Sequence, residues 1–333
     1  MLELLTTRSV LRRALATTAL LSVLATSLVA QEERPVVYDE QADAVAEFEA
    51  AKVRAAKDNK HVLLVWGANW CGWCVKLDGL CKSDRQIART LDYEYEVVKV
   101  DVGRFDKHQD LMRSLAADIQ AIPFLTVVAP NGEVVVHQET GSLEEGSEHV
   151  PERVLSFLTE HQPEALNARE VFAAAKEKAE KEGKNVLVHL GAPWCGWCHR
   201  LEDYLGEPAI AERIATDFVD LKIDTDRMVD GQELASELRQ GQSGGIPWMI
   251  VVTPTGERLA TSDGEEGNCG YPVDDHEVDT FMKMIEAGRQ RLTDEDMSIL
   301  RARLEERAAE ILEARRKRRE EAEKRGRESG GDR

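Results

Sequence analysis

Two identical pentapeptides carry most of the chemistry that this sequence can perform. Trp-Cys-Gly-Trp-Cys occupies residues 70–74 and recurs at residues 194–198. The chain of 333 residues has six cysteines, and four of them lie in these two copies. Two cysteines separated by two residues can form a reversible disulfide, contribute to a metal site or attach a haem. The sequence around the motif distinguishes these kinds of site.

The two motifs belong to a duplicated segment that is much longer than five residues. The offset that relates Cys71 to Cys195 is 124 residues, and the same offset relates Ile122-Pro123 to Ile246-Pro247. It also relates Phe48 to a second phenylalanine at position 172. A repeat of this length indicates duplication of a whole folding unit.

Both copies show the same order of predicted elements. A helix precedes an apolar strand, and the cysteine motif then opens a second helix; a second strand, a helix, the Ile-Pro pair, a hairpin and a closing helix follow. The main predicted segments are Ala42–Lys57, Val62–Trp66, Val97–Asp101 and Val150–Glu160, then Arg169–Glu182, Val186–Leu190, Phe218–Asp224 and Asp274–Ala287. This order predicts an α/β fold around a central mixed sheet.

The position of the motif suits a redox-active dithiol. Because a strand gives way to a helix there, the first cysteine falls at a helix N-terminus, where unpaired N–H groups and the helix dipole stabilise a thiolate. The second cysteine lies one turn further along, within disulfide reach. We therefore expect Cys71 and Cys195 to attack disulfides, and Cys74 and Cys198 to resolve the mixed disulfides that form.

With these residues, the sequence resembles the thioredoxin family, and the resemblance covers almost all of residues 36–290 as two tandem copies. It implies two tandem thioredoxin-like folds, disulfide exchange with proteins, and no cofactor or metal. It also implies that Pro123 and Pro247 follow cis peptide bonds, and that Ile122 and Ile246 receive extended substrate through their backbone. We expect four tryptophans to frame an apolar docking surface: Trp70, Trp73, Trp194 and Trp197.

The sequence departs from the family at two points. Members have a buried Asp in the strand before the motif, where this chain has Val65 and His189. Their usual Gly-Pro between the cysteines is Gly-Trp here. His189 is a candidate base for the second dithiol and equally a core histidine. His199 is expected to stabilise the Cys195 thiolate if its imidazolium lies beside it.

Three other interpretations compete with a redox enzyme. Cys195, Cys198 and His199 spell the c-type haem pattern, but the first copy has Val75 in place of the histidine. A shared zinc ion would need both cysteine pairs, whose separation far exceeds that of zinc ribbons. A thioredoxin-fold binding module is the third alternative, although such modules usually lack one or both cysteines.

The N-terminus predicts an exported protein. Arginines at positions 8, 12 and 13 precede an apolar run that ends at Ala30. A basic stretch followed by such a run is typical of a signal peptide, which we place at residues 1–30. A membrane anchor is the alternative, but the run is shorter than the ~20 residues that a spanning helix prefers. We expect a periplasmic or secreted protein without stable membrane insertion of the mature chain.

Domain boundaries follow from the repeat and from a change of composition. We place thioredoxin-like domains at residues 31–162 and 163–290, and a charged tail, as a solvated helix that frays into disorder, at residues 291–333. A partner-binding helix is the alternative for this tail, because Leu300, Leu304 and Ala308 belong to one apolar stripe. Cys81 is expected to be a buried core thiol, and Cys269 a loop thiol near the second dithiol.

The charge of the chain bears on its partners. The formal charge is −19, which disfavours binding to nucleic acid. The expected partners are protein thiols or disulfides, together with an unidentified thiol electron donor or acceptor.

Overall fold

The computed structural model describes residues 35–330, so the predicted signal peptide lies outside the described residues. Within this range each half of the chain builds its own four-stranded sheet, and the two sheets have the same topology. None of the helices between residues 35 and 330 combines the length and the apolar character needed to cross a bilayer.

The first half is built around the sheet order β2-β1-β3-β4. Its elements are α1 (Ala44–Asp58), β1 (His61–Gly67), α2 (Gly72–Ser83), α3 (Arg85–Glu94), β2 (Tyr95–Asp101), α4 (Gln109–Ser114), β3 (Phe124–Val128), β4 (Val134–Glu139), a 3₁₀ turn (Thr140–Leu143), β5 (Glu144–Glu145), β6 (Glu148–His149) and α5 (Pro151–Glu160). Strands β1 and β2 are parallel, whereas β3 runs antiparallel to both of its neighbours. The sheet is therefore mixed.

The second half repeats this plan with the order β8-β7-β9-β10. Its elements are α6 (Ala168–Glu182), β7 (Asn185–Gly191), α7 (Gly196–Leu205), α8 (Pro208–Asp217), β8 (Phe218–Asp224), α9 (Gly231–Leu238), β9 (Trp248–Val252), β10 (Arg258–Thr261), β11 (Asp263–Gly264), β12 (Gly267–Asn268) and α10 (Asp275–Gly288). The predicted segments agree with these bounds to within two residues. The predicted α/β fold class is confirmed.

The central strand β1 shows why these apolar runs form a sheet with helices on both faces. Successive side chains of a strand point to opposite faces. Leu64 and Trp66 accordingly pack with Phe48 of α1, while Leu63 packs with Leu77 of α2 on the other face. A strand covered on both sides has no polar face, which explains its continuous hydrophobic sequence.

A long final helix, α11 (Asp294–Gly330), completes the core of the second half. Leu300, Leu304 and Ala308 are at most 4% exposed and belong to the same hydrophobic cluster as Phe281 of α10. The expectation of a solvated helix is therefore wrong for the first half of α11. These residues recur every four positions, so they form one stripe that the domain covers.

The two halves contact each other through a polar interface. The guanidinium of Arg227 donates to the carbonyl oxygens of Asp58 and Asn59 at 2.7 Å each, and pairs with Glu94 at 2.7 Å. Lys222 of the second half also pairs with Asp58, at 3.2 Å. The last turn of α1 in the first half is thus held by side chains of the second half.

Candidate active site

Both cysteine pairs lie where the motif predicts a reactive dithiol. Cys71 and Cys195 are the N-cap residues of α2 and α7, and the sulfur of each accepts a hydrogen bond from the N–H of the second cysteine at 3.1 Å. Each pair is joined as a disulfide, with Cα atoms 5.3 and 5.2 Å apart. On reduction, a thiolate at this cap is stabilised by the N–H groups of the first helical turn.

The two cysteines of a pair differ in accessibility. Cys71 and Cys195 are 6% and 4% exposed, whereas Cys74 and Cys198 are each 1% exposed. The first cysteine of each pair is therefore the one that an incoming disulfide can reach, and the second one is shielded within its helix.

A cis-proline faces each dithiol. The Ile122–Pro123 and Ile246–Pro247 peptide bonds are both cis, the conformation that the family resemblance implies. The carbonyl oxygen of Ile122 lies 3.5 Å from Cys71 Sγ, and that of Ile246 lies 3.6 Å from Cys195 Sγ. The backbone of each isoleucine therefore borders the sulfur that a substrate would reach.

Polar side chains hold these two loops in place. The Thr140 hydroxyl donates to the carbonyl oxygen of Pro123 at 2.9 Å, and the Asn268 side-chain amide donates to that of Pro247 at 2.9 Å. Different residues therefore satisfy the same backbone group in the two copies. The sequence analysis missed both, because neither occupies an equivalent position in the repeat.

The first tryptophan of each motif is exposed and held by its indole nitrogen. Trp70 is 39% exposed and donates to the carbonyl oxygen of Gly103 at 2.7 Å, while Trp194 is 63% exposed and donates to Asp226 at 3.0 Å. Each indole is fixed at one edge, which leaves much of its surface free beside the dithiol.

The second tryptophans have different neighbours in the two halves. Trp73 is half-buried and meets the His149 ring edge-on at 5.2 Å between centroids. Trp197 is 40% exposed and stacks on Tyr271 at 6.1 Å. The motif tryptophans thus lie around both dithiols, and their role in docking remains a prediction.

The two histidines singled out from the sequence both have partners. His189 is buried in β7 and its Nε2 lies 3.3 Å from an Asp220 carboxylate oxygen. The ring Nε2 of His199 donates to the carbonyl oxygen of Pro193 at 2.6 Å. Since Cys195 and Cys198 are bonded to each other, the sulfurs of the haem-like pattern are already paired in this structure.

Behind the first dithiol lies a tyrosine that the sequence analysis did not identify. A Cβ atom on Gly67 would collide with the Tyr38 hydroxyl and lie 2.9 Å from Cys74 Sγ, so the glycine allows a close approach of these groups. Asn69 fixes the segment by accepting from the backbone N–H groups of Val37 and Tyr38 at 2.9 Å. Burial raises the pKa of Tyr38 far above its usual value, so its hydroxyl stays protonated.

Behind the second dithiol lies a carboxylate. A Cβ atom on Gly191 would be 3.6 Å from both Cys198 Sγ and Glu202 Oε1, so the sulfur and the carboxylate face the same small space. Glu202 is 6% exposed, and its Oε1 is buried without a hydrogen-bond partner in the described residues. A buried oxygen without a hydrogen-bond partner lowers the stability of the folded state unless another group donates a hydrogen bond or a proton to it.

A buried lysine forms an ion pair with the other oxygen of this carboxylate. Lys222 pairs with Glu202 at 2.9 Å and with Asp58 of the first half at 3.2 Å. Burial alone would lower the pKa of Lys222, but the two carboxylates outweigh it and raise the pKa above its ordinary value. The lysine therefore stays charged and donates to the Oε2 of Glu202, which leaves Oε1 on the side of the dithiol.

Two family models match the chain, one in each half. A model described as "Thioredoxin-like" matches residues 43–130, and the Thioredox_DsbH model, described as "Protein of unknown function, DUF255", matches residues 148–310. The chain belongs to the thioredoxin family. The second match extends into α11, in agreement with the packing of that helix against the core.

Individual thioredoxin-family relatives align with parts of the chain. Protein disulfide-isomerase of Hordeum vulgare is 35% identical over 85 residues, which are 25% of this chain and 15% of that protein. Protein disulfide-isomerase 1 of Dictyostelium discoideum is 23% identical over 263 residues, which are 74% of this chain and 64% of that protein. The chain therefore spans less than two thirds of these relatives.

Solved structures show the same type of likeness. A disulphide isomerase from Xylella fastidiosa Temecula1 is 31% identical, with a TM-score of 0.35; the match covers 38% of this chain and 96% of that one. The oxidised C-terminal domain of DsbD from Neisseria meningitidis is 16% identical, with a TM-score of 0.28. The match covers 36% of this chain and 97% of that one.

The family's buried acid is replaced differently in the two halves. Val65 borders the first dithiol and brings no polar group, and Tyr38 supplies a hydroxyl from an upstream segment. In the second half, Glu202 brings a carboxylate from α7 rather than from the preceding strand. The sequence does contain a sign of this acid, because an acidic residue lies four positions after the second cysteine of each motif. It is Asp78 in the first half and Glu202 in the second.

The two remaining cysteines are free thiols with raised pKa values. Cys81 is half-buried and burial raises its pKa to about 11, while Cys269 is buried and burial raises its pKa to about 12. Both thiols therefore stay protonated at neutral pH. Cys269 lies in the loop after β12, as expected, and packs within the core of the second half.

Proposed function

We propose that this protein exchanges disulfides with polypeptide substrates through two dithiols, one in each thioredoxin-like half. The observation that carries this proposal is the geometry shared by both copies: a cysteine pair that caps a helix opposite the carbonyl of a cis Ile-Pro bond. This places a stabilised thiolate beside backbone that can pair with an extended chain. The family relationship and the disulfide-isomerase relatives support the same reaction.

In the first step of the reaction, the thiolate of Cys71 or Cys195 attacks one sulfur of a substrate disulfide. A mixed disulfide forms, and the other substrate sulfur leaves as a thiolate that takes up a proton. In the second step, Cys74 or Cys198 attacks the sulfur of its partner, and the substrate leaves as a second thiol. The substrate gains two electrons, and the protein is left with the disulfide seen in the structure. The reverse sequence oxidises a substrate dithiol.

The second step requires the resolving cysteine to lose its proton. In the second half, Glu202 is the group that accepts it, because its unpartnered Oε1 and Cys198 Sγ face the same space beside Gly191. The proton moves from Cys198 to Glu202 as the sulfur attacks, and returns when the dithiol is reduced again. Proton transfer of this type contributes roughly 10² to 10⁴ in rate.

The proposal extends to location and partners. Residues 1–30, with their basic and apolar stretches, support export to the periplasm or outside the cell. Thiol–disulfide exchange with folding proteins is suited to such an oxidising compartment. The domains are residues 31–162 and 163–290, and an external thiol donor or acceptor regenerates them.

Reduction of insulin disulfides tests the function. The wild type, Cys71→Ser, Cys195→Ser and the double variant would be compared with dithiothreitol as the electron source. Each single variant should keep the rate of the remaining site, and the double variant should fall to the rate of dithiothreitol alone. Cys81→Ala, which removes a free thiol outside both pairs, should behave as the wild type. A full rate in the double variant would refute the enzyme.

A further inference from the structure

The second dithiol is bordered by a basic groove. We call it the arginine groove, a cavity of about 580 Å³ between α7 and α11. Its lining comprises Gly196, Trp197, Arg200, Arg307, Glu310, Ile311, Ala314, Arg315 and Arg318. Gly196 and Trp197 are the two residues between Cys195 and Cys198, so the groove begins at the dithiol itself.

The basic wall of the groove is fixed by the part of α11 that enters the core. Leu300 and Leu304 are fully buried, and the hydroxyl of Tyr204 donates to the carbonyl oxygen of Leu300 at 2.8 Å. Glu207 then binds Arg303 at 2.6 Å and Arg307 at 2.8 Å. The turns that follow, which carry Arg315 and Arg318, continue from an anchored helix.

Three guanidinium groups in the groove have no carboxylate partner. Arg200, Arg315 and Arg318 are exposed, and no carboxylate of the described residues lies within ion-pair distance of any of them. Arg200 and Arg315 lie 5.5 and 5.3 Å from the ring of Trp197. Cations stacked on an indole are held in place while their N–H groups remain free to bind acceptors.

The first dithiol also has a guanidinium beside it, since the exposed Arg104 lies 4.8 Å from the ring of Trp70, but its motif helix presents a different charge. Lys76 occupies the position equivalent to Arg200 and lies 5.1 Å from the ring of Trp73, but it also pairs with Glu148 at 3.0 Å. Glu144 and Glu145 lie in the hairpin that includes Glu148. The cation equivalent to Arg200 is thus neutralised beside the first dithiol, where the neighbouring hairpin contributes three carboxylates.

We propose that the arginine groove binds an acidic stretch of the polypeptide whose sulfur reacts with Cys195. This inference rests on the proposed function, and it gives the second dithiol a substrate class, polypeptides with Asp or Glu near the reactive cysteine. Free guanidinium groups next to the attacking sulfur form charge-assisted hydrogen bonds with carboxylates and steer acidic chains to it. A polypeptide is favoured over a nucleic acid as the occupant, because the groove begins at the dithiol, and disulfide exchange there requires a cysteine sulfur that a nucleic acid lacks.

The experiment isolates the second dithiol with Cys71→Ser and Cys74→Ser in the full chain. Two cysteine peptides of equal length, one flanked by Glu and one by Lys, are prepared as mixed disulfides with thionitrobenzoate. Release of the coloured thiolate gives the rate constant of each peptide with the reduced protein. At low salt the acidic peptide should react about tenfold faster, and added salt should reduce this ratio.

Charge reversal in the groove provides the decisive variant. Arg315→Glu with Arg318→Glu should abolish or invert the preference, whereas Arg316→Glu should keep it. Arg316 is a matched control, because it lies on the same helix but pairs with Glu313 outside the groove. The ratio of two rates is measured in each protein, so a general change in thiolate reactivity cancels.

The outcomes separate the two claims. Reaction with neither peptide would overturn the proposed function, and the recognition with it. Reaction with both peptides at equal rates, or a preference that survives reversal of Arg315 and Arg318, would overturn the recognition alone. Preference for the acidic peptide that is lost only in the groove variant would support it.

Discussion

Behind Cys74 the first half places the hydroxyl of Tyr38, whereas behind Cys198 the second half places the carboxylate of Glu202. The two groups occupy corresponding space next to Gly67 and Gly191 but differ in proton chemistry. A hydroxyl with a strongly raised pKa stays protonated and can only donate a hydrogen bond to a thiolate. A carboxylate, unlike that hydroxyl, can accept the proton of a thiol.

This contrast shows what duplication kept and what it changed. Both copies kept the sheet, the helix-capping cysteine and the cis-proline, which position the sulfur atoms. The groups behind and beside the sulfurs diverged, and these set the acidity of the resolving cysteine and the charge met by a substrate. We therefore expect the two dithiols to react at different rates, and the following variants test this difference from the largest effect to the smallest.

The largest effect concerns α11, which only the second half uses to complete its core. Leu304→Ala removes a fully buried side chain from that core and should cost about 2–5 kcal/mol of stability. Leu312→Ala, on the same helix but 43% exposed, should cost less than ~0.5 kcal/mol. Scanning calorimetry would measure both. Equal losses in the two variants would contradict the described packing.

The next effect separates the proton acceptors. Glu202→Gln preserves shape but removes the carboxylate, so we expect the mixed disulfide on Cys195 to resolve about 100-fold more slowly near neutral pH. Quenched-flow trapping of the mixed disulfide would measure this rate.

Asp78→Asn is the matched variant in the first half, where Asp78 is engaged with Lys82 and Lys99. It should change resolution on Cys71 only a few-fold, because each carboxylate oxygen of Asp78 is already bound by a lysine. An equally large loss in both variants would show that the two halves use one proton acceptor in the same way.

A third effect tests the crowding behind each dithiol. Gly67→Ala forces a Cβ atom into the buried Tyr38 hydroxyl and should destabilise the first half by about 1–3 kcal/mol. In Gly191→Ala the nearest atoms are 3.4 Å or more from the new Cβ, an ordinary contact distance, so the cost should be below ~1 kcal/mol. Thermal unfolding of both variants would measure the difference, and the reverse order would refute the proximity of Tyr38.

The smallest effect tests whether the first half influences the second dithiol. In Asp58→Asn, Lys222 loses one of its two carboxylate partners among the described residues and holds the remaining one, Glu202, more tightly. Resolution on Cys195 should slow by about threefold, an electrostatic effect below ~1 kcal/mol. Asp110→Asn, at an exposed ion pair with Arg113, is the control and should leave the rate unchanged.

Local patterns in the sequence were sufficient to predict the frame of both sites. The apolar runs gave the strands, and the repeat offset gave the paired positions of the cysteines and prolines. Helices and strands are governed by periodicity within a short stretch of chain, so their bounds agree with the structure.

The groups behind the sulfurs could not be predicted in the same way. Tyr38 approaches Cys74 from the segment that precedes α1, and Lys222 reaches Asp58 across the two halves. Such contacts join residues that are distant in the chain, and no local period reports them. The docking of α11 was also missed, because its apolar stripe is visible in the sequence but the sequence does not show that the second half of the same chain covers it.

The contacts that Arg227 makes with the end of α1 also affect how the two dithiols would act on a substrate with more than one disulfide. Its two bonds to backbone oxygens and its pair with Glu94 restrain one half against the other. A polypeptide captured by one dithiol thus meets the other at a local concentration set by a restrained spacing rather than by a swinging tether. Removal of the Arg227 contacts would widen the range of distances between two substrate disulfides that one molecule can reduce in succession.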